Sequence, residues 1–337
     1  MKLEKLGWNS AWAEAFAIHA RPEAAPGRVV SDSGALAVVE TEDGERTLPH
    51  AANCLRPVTG DWVAVSRERI EQVLPRRTRF SRRAAGERNE EQVLAANIDV
   101  AFLVMGLDGD YNLRRIERYL LSAWQSGARP VVVLNKADIC PDWPARVAAV
   151  ERSVLGVPVV AISATEDPSL APIAGQVKSG ETAALFGSSG VGKSTLVNRL
   201  LGAEKLPTRP VRQDDSRGRH TTTRRSLTVL PEGWLLIDMP GLRELRLWAD
   251  EEALNQAFAD VDQLARQCRF RDCRHNGEPG CAVTGSLEEG RLASYHKLQR
   301  EIEYLDRKED PAAEAALRKK WRNIHKTLKH HPKYRNE

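Results

Sequence analysis

The sequence predicts an α/β protein: a doubly wound parallel sheet, preceded by a small β-rich unit and followed by a helical one. Three observations carry that prediction. Near-continuous apolar runs at residues 98–105, 131–134 and 183–186 have the character of strands buried on both faces of a parallel sheet. Helical periodicity at 113–124 and 146–155 alternates with such runs. Short β-rich pieces at 28–31, 36–40, 46–48, 61–65 and 69–74, most separated by Gly, Pro, Asn or Asp, have the spacing of a small barrel or sandwich.

In chain order, Trp8, Trp12, Ala15, Phe16 and His19 recur at helical spacing and predict a helix over residues 1–24. The β-rich unit follows from Gly27, and Pro75 with the arginines after it reads as a linker. From Asn97 the strand–helix alternation runs to about 248, with further strands at 158–162 and 234–237 and a helix from Lys193. Residues 251–337 show no clear strand but a helix marked by Leu292, Tyr295, Leu298, Ile302 and Leu305. The predicted division is 1–90, 91–248 and 249–337.

Composition bounds the rest. At 337 residues the chain has room for two domains or three small ones. With 42% hydrophobic and 28% charged residues it is a globular composition, not a disordered one. The longest apolar run, residues 100–107, is far short of a membrane helix, and Glu4 and Glu14 interrupt any secretory core. A cytoplasmic protein without membrane association is expected. The net charge of +4 hides three basic runs: Arg76, Arg77, Arg79, Arg82 and Arg83; Arg209, Arg212, Arg217, Arg219, Arg224 and Arg225; and eight Lys/Arg without an acid between 318 and 335. Each alone reads as solvated surface; together they point toward nucleic acid.

Gly187, Ser188, Ser189, Gly190, Val191, Gly192, Lys193, Ser194 and Thr195 match the P-loop pattern between a strand and a helix. Glycines let successive N–H groups face a phosphate, and the helix N-terminus adds its dipole. Lys193 is expected at the β- and γ-phosphates and the Ser194 hydroxyl on Mg²⁺. Asn135, Lys136, Ala137 and Asp138 end a buried strand, where α/β folds place ligands. One carboxylate can accept both the N1–H and the amino group of guanine, which makes Asp138 the selector of GTP over ATP. Asn135 can bond the base or tie the loop, the Lys136 stem can lie over the purine, and Ser163 and Ala164 fit a loop closing over it. Asp238, in the run Asp-Met-Pro-Gly that ends at Gly241, is expected to hold Mg²⁺, and the Gly241 N–H to meet the γ-phosphate. Thr222 or Thr223 is the candidate for a switch threonine on Mg²⁺ and the γ-phosphate.

The order is permuted: the guanine motif at 135 and the Ser-Ala pair at 163 precede the P-loop at 187. The Asp-x-x-Gly segment therefore leads straight into residues 242–337, which predicts direct mechanical coupling of the nucleotide to the C-terminal unit. There Cys268, Cys273, His275 and Cys281 offer three thiolates and an imidazole within 14 residues, suited to one closed, structural Zn²⁺.

These motifs, with Pro57-Val-Thr-Gly-Asp61, Ala96-Asn-Ile-Asp99 and Gly218-Arg-His-Thr-Thr-Thr223, closely resemble the circularly permuted RsgA (YjeQ/YloQ) family of small-subunit-dependent GTPases over nearly the whole chain. The resemblance implies an oligonucleotide-binding (OB) type barrel. It also implies GTP hydrolysis stimulated by the small ribosomal subunit, and a late role in maturing that subunit and its rRNA. Leu242 stands where many GTPases carry the water-orienting glutamine, which makes His220 the candidate in keeping with the family. Met239 replaces a common threonine without touching a ligand role, and Gly190 gives no ground for potassium dependence. A monomer is expected, with Zn²⁺ and Mg²⁺–GTP/GDP as cofactors. The second reading, left open by Leu242, is a non-enzymatic RNA-binding assembly scaffold that holds nucleotide as a structural ligand.

Overall fold

The computed structural model describes residues 2–19, 23–83, 91–167, 170–202, 225–238, 250–287 and 289–309. The N-terminal segment is two helices, α1 (Lys2–Lys5) and α2 (Ser10–His19), rather than the one predicted. Gly7 breaks them: its φ is +88°, and a Cβ there would run into the Gly180 carbonyl. Asn9 restarts the helix by accepting from the Trp12 N–H at 3.2 Å.

Five strands follow: β1 (Ala25–Asp32), β2 (Leu36–Thr41), β3 (Gly44–Pro49), β4 (Trp62–Val65) and β5 (Ile70–Val73). β1 pairs antiparallel with both β2 and β4, β2 with β3, and β4 with β5. A parallel bridge from His50 to Ile70 brings the end of β3 to β5. This connectivity, 3-2-1-4-5 closing on itself, is that of an OB-type barrel. Its core is Val29, Val39, Leu48, Val63, Val65 and Ile70, the inward set of an alternating pattern.

Residues 76–83 are not a linker. They lead into β6 (Arg79–Arg83), paired antiparallel with β7 (Glu91–Ala96). Four of these arginines have partners within the fold. Arg76 makes two 2.8 Å hydrogen bonds to the buried Asp61, and Arg77 lies 4.2 Å over the Trp12 ring. Arg79 bonds Glu91 and Arg82 bonds Gln92 across the ribbon. Phe80 stacks on Phe186 at 4.2 Å, anchoring the ribbon to the central sheet.

That sheet has five parallel strands in the order β10 (Val159–Ala161), β9 (Arg129–Asn135), β8 (Val100–Gly106), β11 (Thr182–Phe186) and β13 (Leu235–Asp238). An antiparallel edge strand, β12 (Ser226–Val229), was not foreseen; it is four residues long, and Ser31 of β1 pairs with its Ser226. Every residue of β8 and β11 is buried, as the apolar runs required. The helices are α3 (Leu113–Ser126), α4 (Trp143–Ser153), α5 (Ala171–Ala174) and α6 (Lys193–Leu200). Asn112 caps α3 by accepting from the Arg115 N–H, and Gly127, at φ +83°, ends it in the left-handed conformation. From β8 the chain winds toward β9 and β10; from β11 it winds toward β13. The β8–β11 boundary is therefore the topological switch point, where α/β sheets open a ligand crevice.

The C-terminal unit holds α7 (Glu251–Ala257), α8 (Ala259–Ala265) and α9 (Glu289–Glu309), with no strand among its described residues. It docks on α3. The fully buried Glu117 carboxylate accepts from Arg114 (2.6 Å), Arg291 (2.9 Å) and Ser294 (2.5 Å). Arg291 also grips Asp260 through two bonds and lies 3.9 Å over Phe258. Arg118 pairs with Glu301 through both guanidinium nitrogens.

Candidate functional site

The P-loop leaves the carboxyl end of β11 and enters α6, as its sequence context required. Gly187, Gly190 and Gly192 have φ of +154°, +84° and +95°. A Cβ at Gly187 would strike the Val104 carbonyl and one at Gly192 the Asn135 amide, so the loop can pass this close to β8 and β9 only with glycine. Lys193 reaches back over the loop, its ammonium 2.7 Å from the Gly187 carbonyl and 2.6 Å from that of Ser188. The cation thus sits at the mouth of the cradle. Ser189, Gly190 and Ser194 are exposed, Val191 is buried beneath the loop, and Thr195 is half-buried on α6.

Asn135 ties the loops, one of the two roles the sequence left open to it. Its Nδ2 donates to the Val191 carbonyl at 2.7 Å, and its Oδ1 accepts from the Ala164 N–H at 2.9 Å. One buried amide therefore joins the guanine motif, the P-loop and the Ser-Ala loop. Asp138 lies exposed on the short 3₁₀ turn Ala137–Ile139, clear to meet a base. Ser163 is buried, its N–H donating to Asp167 at 2.5 Å. Arg199 of α6 donates to the carbonyls of Ala164, Thr165 and Asp167, holding the same loop from the phosphate side.

Asp238 ends β13, whose Ile237 pairs with Ala184 of β11, so it stands beside the P-loop strand. Burial raises its carboxyl above the ordinary range, and the Lys193 charge opposes that rise. A Ser194 hydroxyl and an aspartate from the neighbouring strand are hard oxygen donors of the kind Mg²⁺ takes alongside nucleotide phosphates. His220, Thr222, Thr223 and Gly241 lie outside the described residues.

Sequence reasoning named Lys136 and Ser188 but missed the side chains that hold them, Asp108, Asp110, Arg115 and Tyr119. Lys136, at φ +68°, places its ammonium 2.5 Å from Asp108 in the turn after β8. Arg115 donates to Asp110 and, at 2.6 Å, to Ser188 Oγ of the P-loop, with the Tyr119 hydroxyl 3.5 Å from the same oxygen. Apart from Arg115–Asp110, five positions apart, these pairs span 28 to 73 positions, and no local pattern announces them.

The four predicted metal ligands converge, each donor atom within 4.8 Å of the others. Cys268 Sγ is 4.0 Å from Cys281 Sγ, and His275 Nδ1 is 3.7 and 3.5 Å from these two. Ligand atoms about 2.3 Å from a tetrahedral Zn²⁺ stand about 3.8 Å apart, so the donor set fits the ion in both chemistry and size. The Ala282 N–H points at Cys268 Sγ, and the Thr284 N–H and hydroxyl at Cys281 Sγ, as donors that stabilise thiolates. The Cys281 thiol is lowered to about 6: burial opposes, but the Thr284 donors and His275 outweigh it. The Cys273 thiol is raised to about 12, chiefly by burial. Cys54 and Cys140 stand apart from the cluster, as expected.

The RsgA GTPase family model matches residues 73–248. The small ribosomal subunit biogenesis GTPase RsgA of Opitutus terrae is 46% identical over 353 residues, 96% of this chain and 96% of that protein. Its counterpart from Streptomyces coelicolor is 45% identical over 340 residues, 95% of this chain and 92% of that one. Among solved structures, YjeQ from Thermotoga maritima aligns with a TM-score of 0.61 at 25% identity, covering 83% of this chain and 98% of that one. YloQ, titled a circularly permuted GTPase, aligns at 0.61 and 22% identity over 84% and 96%, a likeness of fold.

Proposed function

The chain belongs to the RsgA GTPase family, and on that premise we propose that its GTP cycle controls association with the small ribosomal subunit and its rRNA in a late maturation step. It is a GTP hydrolase of ribosome biogenesis, and stimulation of its turnover by the small subunit belongs to the proposal. The observation that carries the reading is the Asn135 amide, which binds guanine motif, P-loop and Ser-Ala loop into one site at the switch point.

Within that site, Asp138 accepts the guanine donor pair, with Lys136, Ala137, Ser163 and Ala164 around the base. The backbone of residues 187–195 and the Lys193 ammonium hold the phosphates. Ser194 and Asp238 would hold Mg²⁺, which supplies charge neutralisation on the phosphate oxygens. His220 orients water, and Thr222 or Thr223 with Gly241 senses the γ-phosphate. Cys268, Cys273, His275 and Cys281 hold one structural Zn²⁺. The barrel unit (1–90), the permuted GTPase unit (91–248) and the zinc unit with its basic tail (249–337) divide the labour, the first and last toward RNA. A cytoplasmic monomer is the proposed working form; no described helix is long and apolar enough to cross a membrane.

Steady-state GTP turnover measured with and without purified small subunits tests the reading. A rise with small but not large subunits is expected. Turnover indifferent to both would overturn stimulation by the small subunit.

A further inference from the structure

The turn after β8 lies at the switch point, on the opposite side of the guanine motif from the Ser-Ala loop. It is zipped to that motif: Gly106 pairs in register with Asn135, and the Leu107 N–H donates to the Asn135 carbonyl at 2.8 Å. Arg146 of α4 holds the Leu107 carbonyl from outside at 3.1 Å. The Asp108 carboxylate is then fixed from both ends. Its Oδ1 accepts from the Asp110 N–H at 3.1 Å, and its Oδ2 meets the Lys136 ammonium at 2.5 Å. Gly106 permits the arrangement, since a Cβ there would stand 2.6 Å from Asp108 Oδ1.

Asp108 and Lys136 are only 29% and 23% exposed, yet an isolated pair at a protein surface contributes little to stability. The arrangement does have a positional consequence. Lys136 sits two residues before Asp138 with a left-handed backbone, and its tip is anchored on a different strand's turn. An ammonium tied at its end leaves the four methylenes as a strip of defined direction beside the base site. A lysine without that tie would have to order its long side chain on binding, at a cost in rotamer entropy.

We propose that Asp108 is a positioning residue for guanine nucleotide recognition, which preorganises Lys136 through the direct ion pair. The inference rests on the assignment of residues 135–138 to the base. The depressed Asp108 carboxyl, held down by Lys136 and the Asp110 N–H against the effect of burial, accords with a pair that persists at neutral pH.

The test is a double-mutant cycle in the full chain, with steady-state GTP hydrolysis and GDP binding as readouts. Asp108→Asn is expected to raise KM for GTP and Kd for GDP about fivefold and to move kcat far less, the loss of about 1 kcal/mol of preorganised contact. In a Lys136→Met background the same substitution is expected to change neither by more than about 1.5-fold. Thermal unfolding within about 2 °C of wild type accompanies this result, since the pair is not part of the core. Additive effects of the two substitutions overturn the proposal, as does a fall in KM, which would make the pair a latch competing with nucleotide. Asp138→Asn separates this from the premise: its amide offers a donor to the second carbonyl of xanthine, so preference should move from GTP to xanthosine triphosphate. If base preference does not move, the guanine assignment fails and the proposal fails with it. If it moves and the cycle is additive, only the role of Asp108 fails.

Discussion

Asn135 does with one amide what a looser site would need several contacts to do. One of its two N–H donors and its carbonyl oxygen are committed to backbone, the carbonyl of Val191 and the N–H of Ala164. Removing the side chain strands both groups, and each stranded buried group costs about 1–3 kcal/mol. Asn135→Ala is therefore expected to lower the denaturant midpoint measurably and to weaken GDP binding by tenfold or more. Asn135→Asp is expected to be worse than alanine although it is nearly isosteric, because a carboxylate then faces the Val191 carbonyl with no proton between them. Calorimetric GDP titrations and urea melts of the two variants check that order. A second residue-scale expectation concerns Glu42, whose carboxylate accepts the Lys2 and Leu3 N–H groups at 3.0 Å each. Its carboxyl lies below the ordinary range, first because of the Leu3 N–H, with the Lys2 N–H and charge adding and burial opposing. A carboxylate depressed on folding stabilises above its unfolded pKa, about 4.3, and that stabilisation is lost as pH falls through the folded value. Anchoring of residues 2–7 should thus be constant above about pH 5 and weaken below about pH 4, a dependence that Glu42→Gln abolishes. The Trp8 fluorescence follows it.

At the scale of elements, the zinc segment is the clearest case of a local structure that its own chain cannot hold together. Residues 266–287 contain no regular helix or strand, and Val283 is one of few fully buried side chains among them. A metal ion on the four ligands, as proposed, would supply the missing folding free energy, about 10 kcal/mol or more in comparable small sites. One zinc per chain is expected by elemental analysis. Chelation should erase amide-exchange protection across 268–284 while β8 and β11 stay protected, and Cys273→Ser should do the same without a chelator. This element was legible in the sequence because ligand chemistry fixes residue type and spacing together. The buried strands β8, β9 and β11 and the P-loop were legible for a like reason: burial on both faces forces an apolar run, and a phosphate cradle forces glycine. The β6–β7 ribbon was not. Its Arg79 and Arg82 pair across the strands and the preceding Arg77 lies over Trp12, so a cluster of arginines looked like a basic linker. β12 was too short to announce itself beside arginines. Glu117 looked like one more acid on a helix face; only the packing of α9 turns it into a buried carboxylate with three donors.

Across the whole molecule, α3 stands between the nucleotide site and the zinc unit. Arg115 and Tyr119 approach Ser188 of the P-loop, while Glu117 and Arg118 hold α9. The permuted order supplies a second connection, since β13 and Asp238 lead within a dozen residues to Asp250, whose N–H donates to Gln125 at the end of α3. Both connections end on the same helix, so a change in phosphate contacts and a change in the pose of the zinc unit share a mechanical part. The buried Glu117–Arg291–Ser294 cluster makes that joint stiff, because an uncompensated charge left by its rupture would cost about 3–5 kcal/mol. The joint should therefore move as a unit rather than fray. Hydrogen exchange compared between GDP and a non-hydrolysable GTP analogue is expected to change together in the last turn of α3, in α7 and in the first half of α9. Glu117→Gln keeps the size of the side chain but removes its charge. It should loosen α9 in both nucleotide states and shrink the difference between them, while GDP affinity stays within about threefold because the base and phosphate contacts are untouched. Co-sedimentation with small subunits then reports the consequence: wild type should discriminate between the two nucleotides, and the variant should bind with nearly equal strength to both. Equal exchange in wild-type α9 whichever nucleotide is bound would mean that α3 transmits nothing, and that the zinc unit is carried rather than steered.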